Sequence, residues 1–248
     1  MSETAATSPQ NGDLAGRIAV VTGASRGIGA AVATRFAAAG AHLVLVARTS
    51  GALEEVDDRI RAAGGAPATL VPLDLRDGDA LDRLGARLNE RFGKLDILVG
   101  NAGMLGQLGP MGHIPPKVWQ DVMAVNVTAN HRLIRSLEPL LRASDAGRAI
   151  FTTSGAARGA FAYFGAYAAS KAALEQMVKV WAAEVTKTPL RVNLFDPGIV
   201  RTNMRAQAFP GEDPMQHPAP ERLADDFLAL ARPACQRHGE IVPAGNGQ

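Results

Sequence analysis

Tyr167 and Lys171 stand four residues apart, and on a helix that spacing puts both side chains on one face, about one turn from each other. A phenol with a pKa of about 10 is a poor base at neutral pH, but a neighbouring ammonium favours the phenolate and draws that value down. Such a pair can pass a proton to or from an alcohol or carbonyl oxygen. Taken alone the spacing also fits a solvated helix start, so its company matters. Ser154 lies 13 residues before Tyr167, directly after an apolar run at 150–153. The carboxyl end of a strand is where α/β sheets hold their ligands. Asn101-Ala102-Gly103 follows a run at 95–99, and Pro197-Gly198 follows one at 192–195. Asn126 sits among Ala124, Val125 and Val127 in an expected helix, where a polar residue usually has a hydrogen-bonding reason.

A second cluster suits phosphate. After the run at 18–22 comes Thr22-Gly23-Ala24-Ser25-Arg26-Gly27-Ile28-Gly29, followed by an apolar-periodic helix through Val32, Phe36 and Ala37. Glycines there let the backbone approach a pyrophosphate, whose charge meets free N–H groups and the positive end of the helix dipole. They also fit a plain strand-to-helix turn that needs positive φ. The end of the second run discriminates. A fold that binds NAD places an acid there to accept from both ribose hydroxyls, whereas this chain reads Val46-Ala47-Arg48-Thr49-Ser50. Arg48 offers a planar fork of donors to a 2′-phosphate, Thr49 and Ser50 add hydroxyls, and Arg26 can approach from the glycine loop. The expected cofactor is NADP (NADPH) rather than NAD.

These groups need a scaffold, and the apolar pattern supplies one. Runs at 18–22, 43–46, 69–73, 95–99, 149–152 and 191–195 are apolar on both faces, as strands of a doubly covered parallel sheet require. Between them lie stretches with helical spacing: across 167–185, Leu174, Met177, Val178 and Trp181 share one face. Alternating strands and helices joined by right-handed crossovers build a single doubly wound α/β domain, here expected over 14–248. Residues 1–13, rich in Ser, Thr, Ala and other small or polar types, are expected to be a flexible tail rather than a signal peptide or anchor. Pro210, Gly211, Pro214, Pro218 and Pro220 crowd the stretch after the sixth run, so a segment of about 202–220 reads as an irregular lid.

Composition narrows the partners. Of 248 residues, 47% are hydrophobic and 20% charged, which excludes disorder for most of the chain. A net charge of +2 is far from the excess that nucleic-acid or anionic-membrane binders carry, so neither partner is expected. No apolar run reaches the ~18 residues that span a bilayer. Cys235 is the single cysteine and cannot form an internal disulfide, so a cytoplasmic setting is expected.

With these motifs in register from about Leu14 to Gly245, the chain resembles the short-chain dehydrogenase/reductase family. The carrying residues are Thr22 to Gly29, Asp74, Asn101-Ala102-Gly103, Asn126, Ser154, Tyr167-x-x-Ser170-Lys171 and Asp196-Pro197-Gly198. The resemblance implies a Rossmann-type sheet of about seven strands with helices on both faces. It implies a tetrad of Asn126, Ser154, Tyr167 and Lys171. Tyr167 would be the acid in reduction and the base in oxidation, Ser154 would bond the substrate oxygen, and Lys171 would hold the nicotinamide ribose. Asn126 would position a water in a proton relay. For the cofactor it implies Gly23, Ser25, Arg26, Ile28 and Gly29 at the turn, with Arg48 and Thr49 at the ribose. Asp74 and Leu75 would meet the adenine, Asn101, Ala102 and Gly103 would line the adenosine side, and Pro197, Gly198, Val200 and Thr202 would flank the nicotinamide. A homotetramer or homodimer is implied by resemblance alone.

Three departures stand out. Gly100 and Asp196 replace asparagines common in the family, both at positions that supply no chemistry, and 239–245 is a shortened final strand and turn. The expected reaction interconverts a carbonyl and a secondary alcohol. Met104, Leu105, Phe161, Phe164, Met204 and Phe209 suggest a substrate with an apolar portion, while Arg158 and Arg205 leave an anionic group open. A 3-oxoacyl thioester reductase and a non-catalytic NADP(H)-binding protein are the alternatives; an S-adenosylmethionine-dependent methyltransferase would have no use for Tyr167 and Lys171. His42, His113, His131, His217 and His238 lack metal-ligand spacing, so no metal is expected. Glu54, Glu55, Asp57 and Asp58 read as a solvated helix face remote from the strand ends. Ser154 lacks a Gly-x-Ser-x-Gly elbow and an adjacent histidine.

Overall fold

A computed structural model describes residues 12–245 of the chain. The apolar runs form β1 (Ile18–Thr22), β2 (His42–Ala47), β3 (Thr69–Pro72), β4 (Ile97–Gly100), β5 (Arg148–Thr152), β6 (Arg191–Asp196) and β7 (Ile241–Pro243). They make one parallel sheet in the order β3-β2-β1-β4-β5-β6-β7. The helices are α1 (Gly27–Ala38), α2 (Ser50–Ala62), α3 (Gly78–Phe92), α4 (Pro116–Met123), α5 (Ala129–Arg142), α6 (Gly165–Glu184), α7 (Asn203–Ala208) and α8 (Ala224–Ala231).

Strand side chains alternate between two cores, which is why the runs are apolar throughout. Ala19 and Val21 face Phe36 of α1, Leu53 and Ile60 of α2 and Phe227 of α8. Val20 faces the opposite core, with Leu84 of α3, Leu137 of α5 and Leu174 of α6. The helical stripe on α6 belongs to that second core: Trp181 meets Phe151 edge-on at 6.2 Å, and its indole N–H donates to Glu138 at 3.0 Å. After β3 the chain crosses β1 to start β4, so strand order reverses there and the connections at the two carboxyl ends diverge into a crevice.

Some boundaries differ from expectation. β4 starts at Ile97 rather than residue 95, because the Leu95 N–H bonds Leu140 O at 3.0 Å and Asp96 is a buried charge hub. The Asp96 carboxylate accepts from Ser144 at 2.6 Å, the Ile18 N–H at 2.9 Å, Arg17 at 3.0 Å and Lys94 at 3.1 Å. Gly12 and Asp13, counted with the tail, are held in place: Arg232 donates to Asp13 at 2.9 Å, and a Cβ at Gly12 would lie 2.1 Å from Ala39 O. The rest of the expected tail lies outside the described residues. Asp57 is buried rather than solvated, because its carboxylate accepts the Ala68 N–H at 2.7 Å and closes the turn into β3. The proline-rich segment carries α7 and a 3-10 turn at Pro214–Gln216. Among the described residues, no helix is long and apolar enough to cross a membrane.

Candidate active site

The glycine turn joins β1 to α1 around one buried hydroxyl. Thr22 Oγ1 donates to Val99 O at 3.2 Å and accepts the N–H groups of Asn101 and Ala102 at 3.0 and 3.1 Å. That single side chain locks the ends of β1 and β4 together. Gly23 adopts φ of 65°, and a Cβ at Gly29 would sit 2.2 Å from Gly23 O and 2.6 Å from the Asn101 amide nitrogen. No side chain fits at either position. The result is a bare backbone cradle, with Ser25, Arg26 and Ile28 facing the crevice and the unpaired first-turn N–H groups of α1 beside it.

The crevice is a continuous cleft of about 2060 Å³ running from Arg48 and Thr49 at the end of β2, past the cradle, to Phe209. Asp74, Leu75, Asn101, Ala102, Gly103, Pro197, Gly198, Val200 and Thr202 all line it. Arg26 and Arg48 are exposed and make no ion pair among the described residues. Asp74 accepts from the Arg76 backbone N–H at 3.0 Å and from its guanidinium at 2.6 Å, and these bonds hold its carboxyl down at about 2. It is a fixed anionic acceptor at the cleft edge. An extended cleft with a backbone cradle, paired cations at one end and a fixed acceptor between them fits a dinucleotide. Arg76, Arg59, Glu55 and Asp58 also line that end. Glu55 and Asp58 are therefore not remote from the strand ends, because α2 leans over the tip of β2.

At the other end, Tyr167 and Lys171 project from the first turns of α6 into the cleft wall, as does Ser154 after β5. The Ser154 hydroxyl lies near enough to the Tyr167 phenol to act on its titration. Lys171 is 4% exposed, donates to Thr152 O at 2.8 Å and lies 5.8 Å from the centre of the Tyr167 ring. Burial pulls the Lys171 ammonium down to about 8 against the opposing pull of Glu175. Burial also pushes the Tyr167 phenol above its usual value; the Ser154 hydroxyl draws it back, and Asp196 pushes it further up. Among the protein's own groups, desolvation thus outweighs the lowering of the phenol expected from its lysine neighbour.

Asn126 is placed one layer behind. It lies in a π-helical stretch, Ala124–Thr128, that joins α4 to α5, and is fully buried. Its side-chain oxygen accepts the Met104 N–H at 2.8 Å, and its amide donates to Met104 O and Ser170 Oγ, each at 2.9 Å. Both amide hydrogens are spent, so the side chain has no donor left for the expected relay water. Asn126 instead pins the loop after β4 to α6. Asn126→Ala leaves the Met104 N–H and C=O without these partners, while Ser170 Oγ keeps its bond to Tyr167 O, and is expected to lower unfolding free energy by about 1 to 3 kcal/mol in urea denaturation.

Lys171→Met should move stability the other way. The fall of the ammonium from 10.5 to about 8 corresponds to about 3 kcal/mol of destabilisation, offset by about 1 kcal/mol for its hydrogen bond. The folded value lies below the unfolded one, so this destabilisation is fully present below pH 8 and fades as pH rises toward the unfolded value of about 10.4. We expect the variant to be more stable by about 2 kcal/mol at pH 7, with the gain disappearing above pH ~10; denaturant midpoints at both pH values check this.

Two arginines offered for an anionic substrate are already engaged. Arg205 makes a two-pronged pair with Glu212 at 2.6 and 2.7 Å and stacks on Phe209 at 3.8 Å. Arg158 pairs with both Glu175 and Asp196. The facing walls are apolar: Met104, Leu105, Phe161, Phe164, Met204 and Phe209.

The family model for short chain dehydrogenase matches residues 17–213. The uncharacterized oxidoreductase YciK of Escherichia coli K12 is 42% identical over 224 residues, covering 90% of this chain and 88% of that protein. A rhamnolipid-biosynthesis 3-oxoacyl-[acyl-carrier-protein] reductase of Pseudomonas aeruginosa is 35% identical over 254 residues, covering 94% and 96%. A short chain dehydrogenase of Escherichia coli CFT073, solved in complex with NADPH, superposes with a TM-score of 0.90 at 40% identity, covering 94% of this chain and 98% of that one. The chain is thus an oxidoreductase that belongs to the short-chain dehydrogenase family.

Proposed function

We propose that the protein is an NADP-dependent oxidoreductase that interconverts a carbonyl and a secondary alcohol. The observation that carries this reading is the Tyr167 phenol, set with Ser154 and backed by Lys171 on the wall of a dinucleotide-sized cleft. When bound, the nicotinamide supplies or accepts the hydride. Tyr167 donates its proton to the carbonyl oxygen during reduction and takes it from the hydroxyl during oxidation, while Ser154 bonds the same oxygen. Lys171, anchored on Thr152 O, holds the nicotinamide ribose, and Asn126 acts as a positioning residue through Met104 and Ser170.

Arg48 supports NADP over NAD: it is exposed at the tip of β2, free of ion pairs among the described residues, with no acid in the Val46 to Ser50 stretch. Ser25, Arg26 and Ile28 hold the pyrophosphate at the cradle, and Asp74 and Leu75 take the adenine. The segment 202–220 acts as a lid, because Phe209 packs toward Phe164 at 6.0 Å over the apolar end. The substrate accordingly presents an apolar portion there. A 3-oxoacyl thioester is the second reading, favoured by the similarity to the Pseudomonas aeruginosa reductase.

Because burial holds the phenol above its usual value, the phenolate fraction grows with pH across the neutral range. Alcohol oxidation should therefore accelerate with rising pH while reduction stays level, a contrast that initial rates in both directions will reveal. Cofactor choice is tested by thermal shift with NADPH and NADH, then by a panel of ketones, aldehydes and acyl thioesters followed by nicotinamide absorbance. Greater stabilisation by NADPH and its oxidation by at least one carbonyl are expected. Greater stabilisation by NADH, or binding without any turnover, overturns the reading.

A further inference from the structure

Arg158 does not line the cleft, yet it joins the three elements that build the catalytic wall. It follows the 3-10 turn Gly155–Ala157, whose N-terminus is capped by Ser154, the hydroxyl accepting the Ala156 N–H at 3.3 Å. One arm of its guanidinium donates to Glu175 on α6, and the other donates to Asp196 at the end of β6. Glu175 is 6% exposed in its side chain, and the oxygen bonded by Arg158 also accepts from Thr153 Oγ1 at 2.7 Å. The other oxygen of Asp196 accepts the Gly198 N–H at 3.1 Å. A Cβ on Gly155, next to Ser154, would lie 4.0 Å from the Arg158-bound oxygen of Asp196.

We infer that Arg158 is a positioning residue that ties the Ser154 turn to α6 and β6 and neutralises Asp196, the carboxylate beside the Tyr167–Ser154 pair. The inference rests on Tyr167 as the proton-transfer group. The charges around that phenol are Lys171 and Glu175 from α6, Arg158 from the turn after β5, Asp196 from β6, and Arg201 and Arg205 from the segment beyond it. Arg205 is taken by Glu212. Asp196 is the carboxylate that disfavours the phenolate, and Arg158 is its paired cation. Without Arg158 the Asp196 carboxylate loses its paired cation, and the phenolate nearby is further disfavoured. Arg158 is 42% exposed in its side chain, so water screens part of the effect.

The test reads the phenol directly. The chain has only two tyrosines, so Tyr163→Phe leaves Tyr167 alone, and ring-fluorinated tyrosine makes it more acidic and visible by fluorine NMR. Arg158→Gln should raise the titration midpoint by about one pH unit, a tenfold loss of phenolate at fixed pH. Arg158→Lys should raise it less, and adding Asp196→Asn to Arg158→Gln should return it toward the parent. Asp196→Asn alone keeps the Arg158–Glu175 pair and should lower the midpoint, which decides the matter if Arg158→Gln does not fold. An unmoved midpoint in Arg158→Gln, a double variant as displaced as the single, or no fall in Asp196→Asn overturns the inference. The titration needs no substrate, so a protein that turned over no carbonyl would still show the shifts. Its inactivity would then count only against the proposed reaction.

Discussion

Tyr167→Phe is expected to lower kcat for carbonyl reduction about 10³-fold while leaving the NADPH dissociation constant within about threefold of wild type. The phenyl ring keeps its packing against Leu105 and Ala156, so only the hydroxyl is lost. A proton source supplied by the protein is missing, and water is a poor substitute inside a wall where the phenol is 9% exposed. Steady-state rates and fluorescence titration of NADPH separate the two effects. Retained turnover would remove Tyr167 from the mechanism, and joint loss of rate and binding would mean that the hydroxyl serves cofactor binding as well as proton transfer.

Arg48→Glu addresses the other end of the cleft. Exchanging a planar fork of donors for a carboxylate replaces attraction to a 2′-phosphate by repulsion and creates the acceptor that two ribose hydroxyls prefer. We expect NADPH to bind about 100-fold more weakly, roughly 3 kcal/mol, and NADH to bind at least as well as before. Arg48 is exposed, so the melting temperature should not move. Isothermal titration with both nucleotides is the check, and an equal effect on each would detach Arg48 from cofactor choice.

The sheet was legible because a parallel strand buried on both faces must be apolar along its whole length, and few loops are. Its errors came from partners distant in sequence. Residue 95 looked like strand until its N–H turned out to pair with Leu140 O, and Asp57 looked solvated although it closes a turn onto Ala68, 11 residues on. The chemistry was legible where motif spacing is short, as at Thr22 to Gly29 and Tyr167 to Lys171. The charge balance around the phenol was not. Arg158 reaches Glu175 and Asp196 across 17 and 38 residues, and no periodicity links them. Asp196 therefore passed as an inert replacement for asparagine, and Arg158 as a free cation for substrate. The burial that raises the phenol and lowers the ammonium is likewise a property of packing, invisible in a four-residue spacing.

The most direct test is a crystal structure with oxidised NADP and an alcohol identified from the carbonyl panel. The account predicts the alcohol oxygen within hydrogen-bonding distance, about 3 Å, of both the Tyr167 and Ser154 hydroxyls, with the cofactor's 2′-phosphate against Arg48. An alcohol oxygen bound elsewhere in the cleft, with the phenol covered by other side chains, would contradict it.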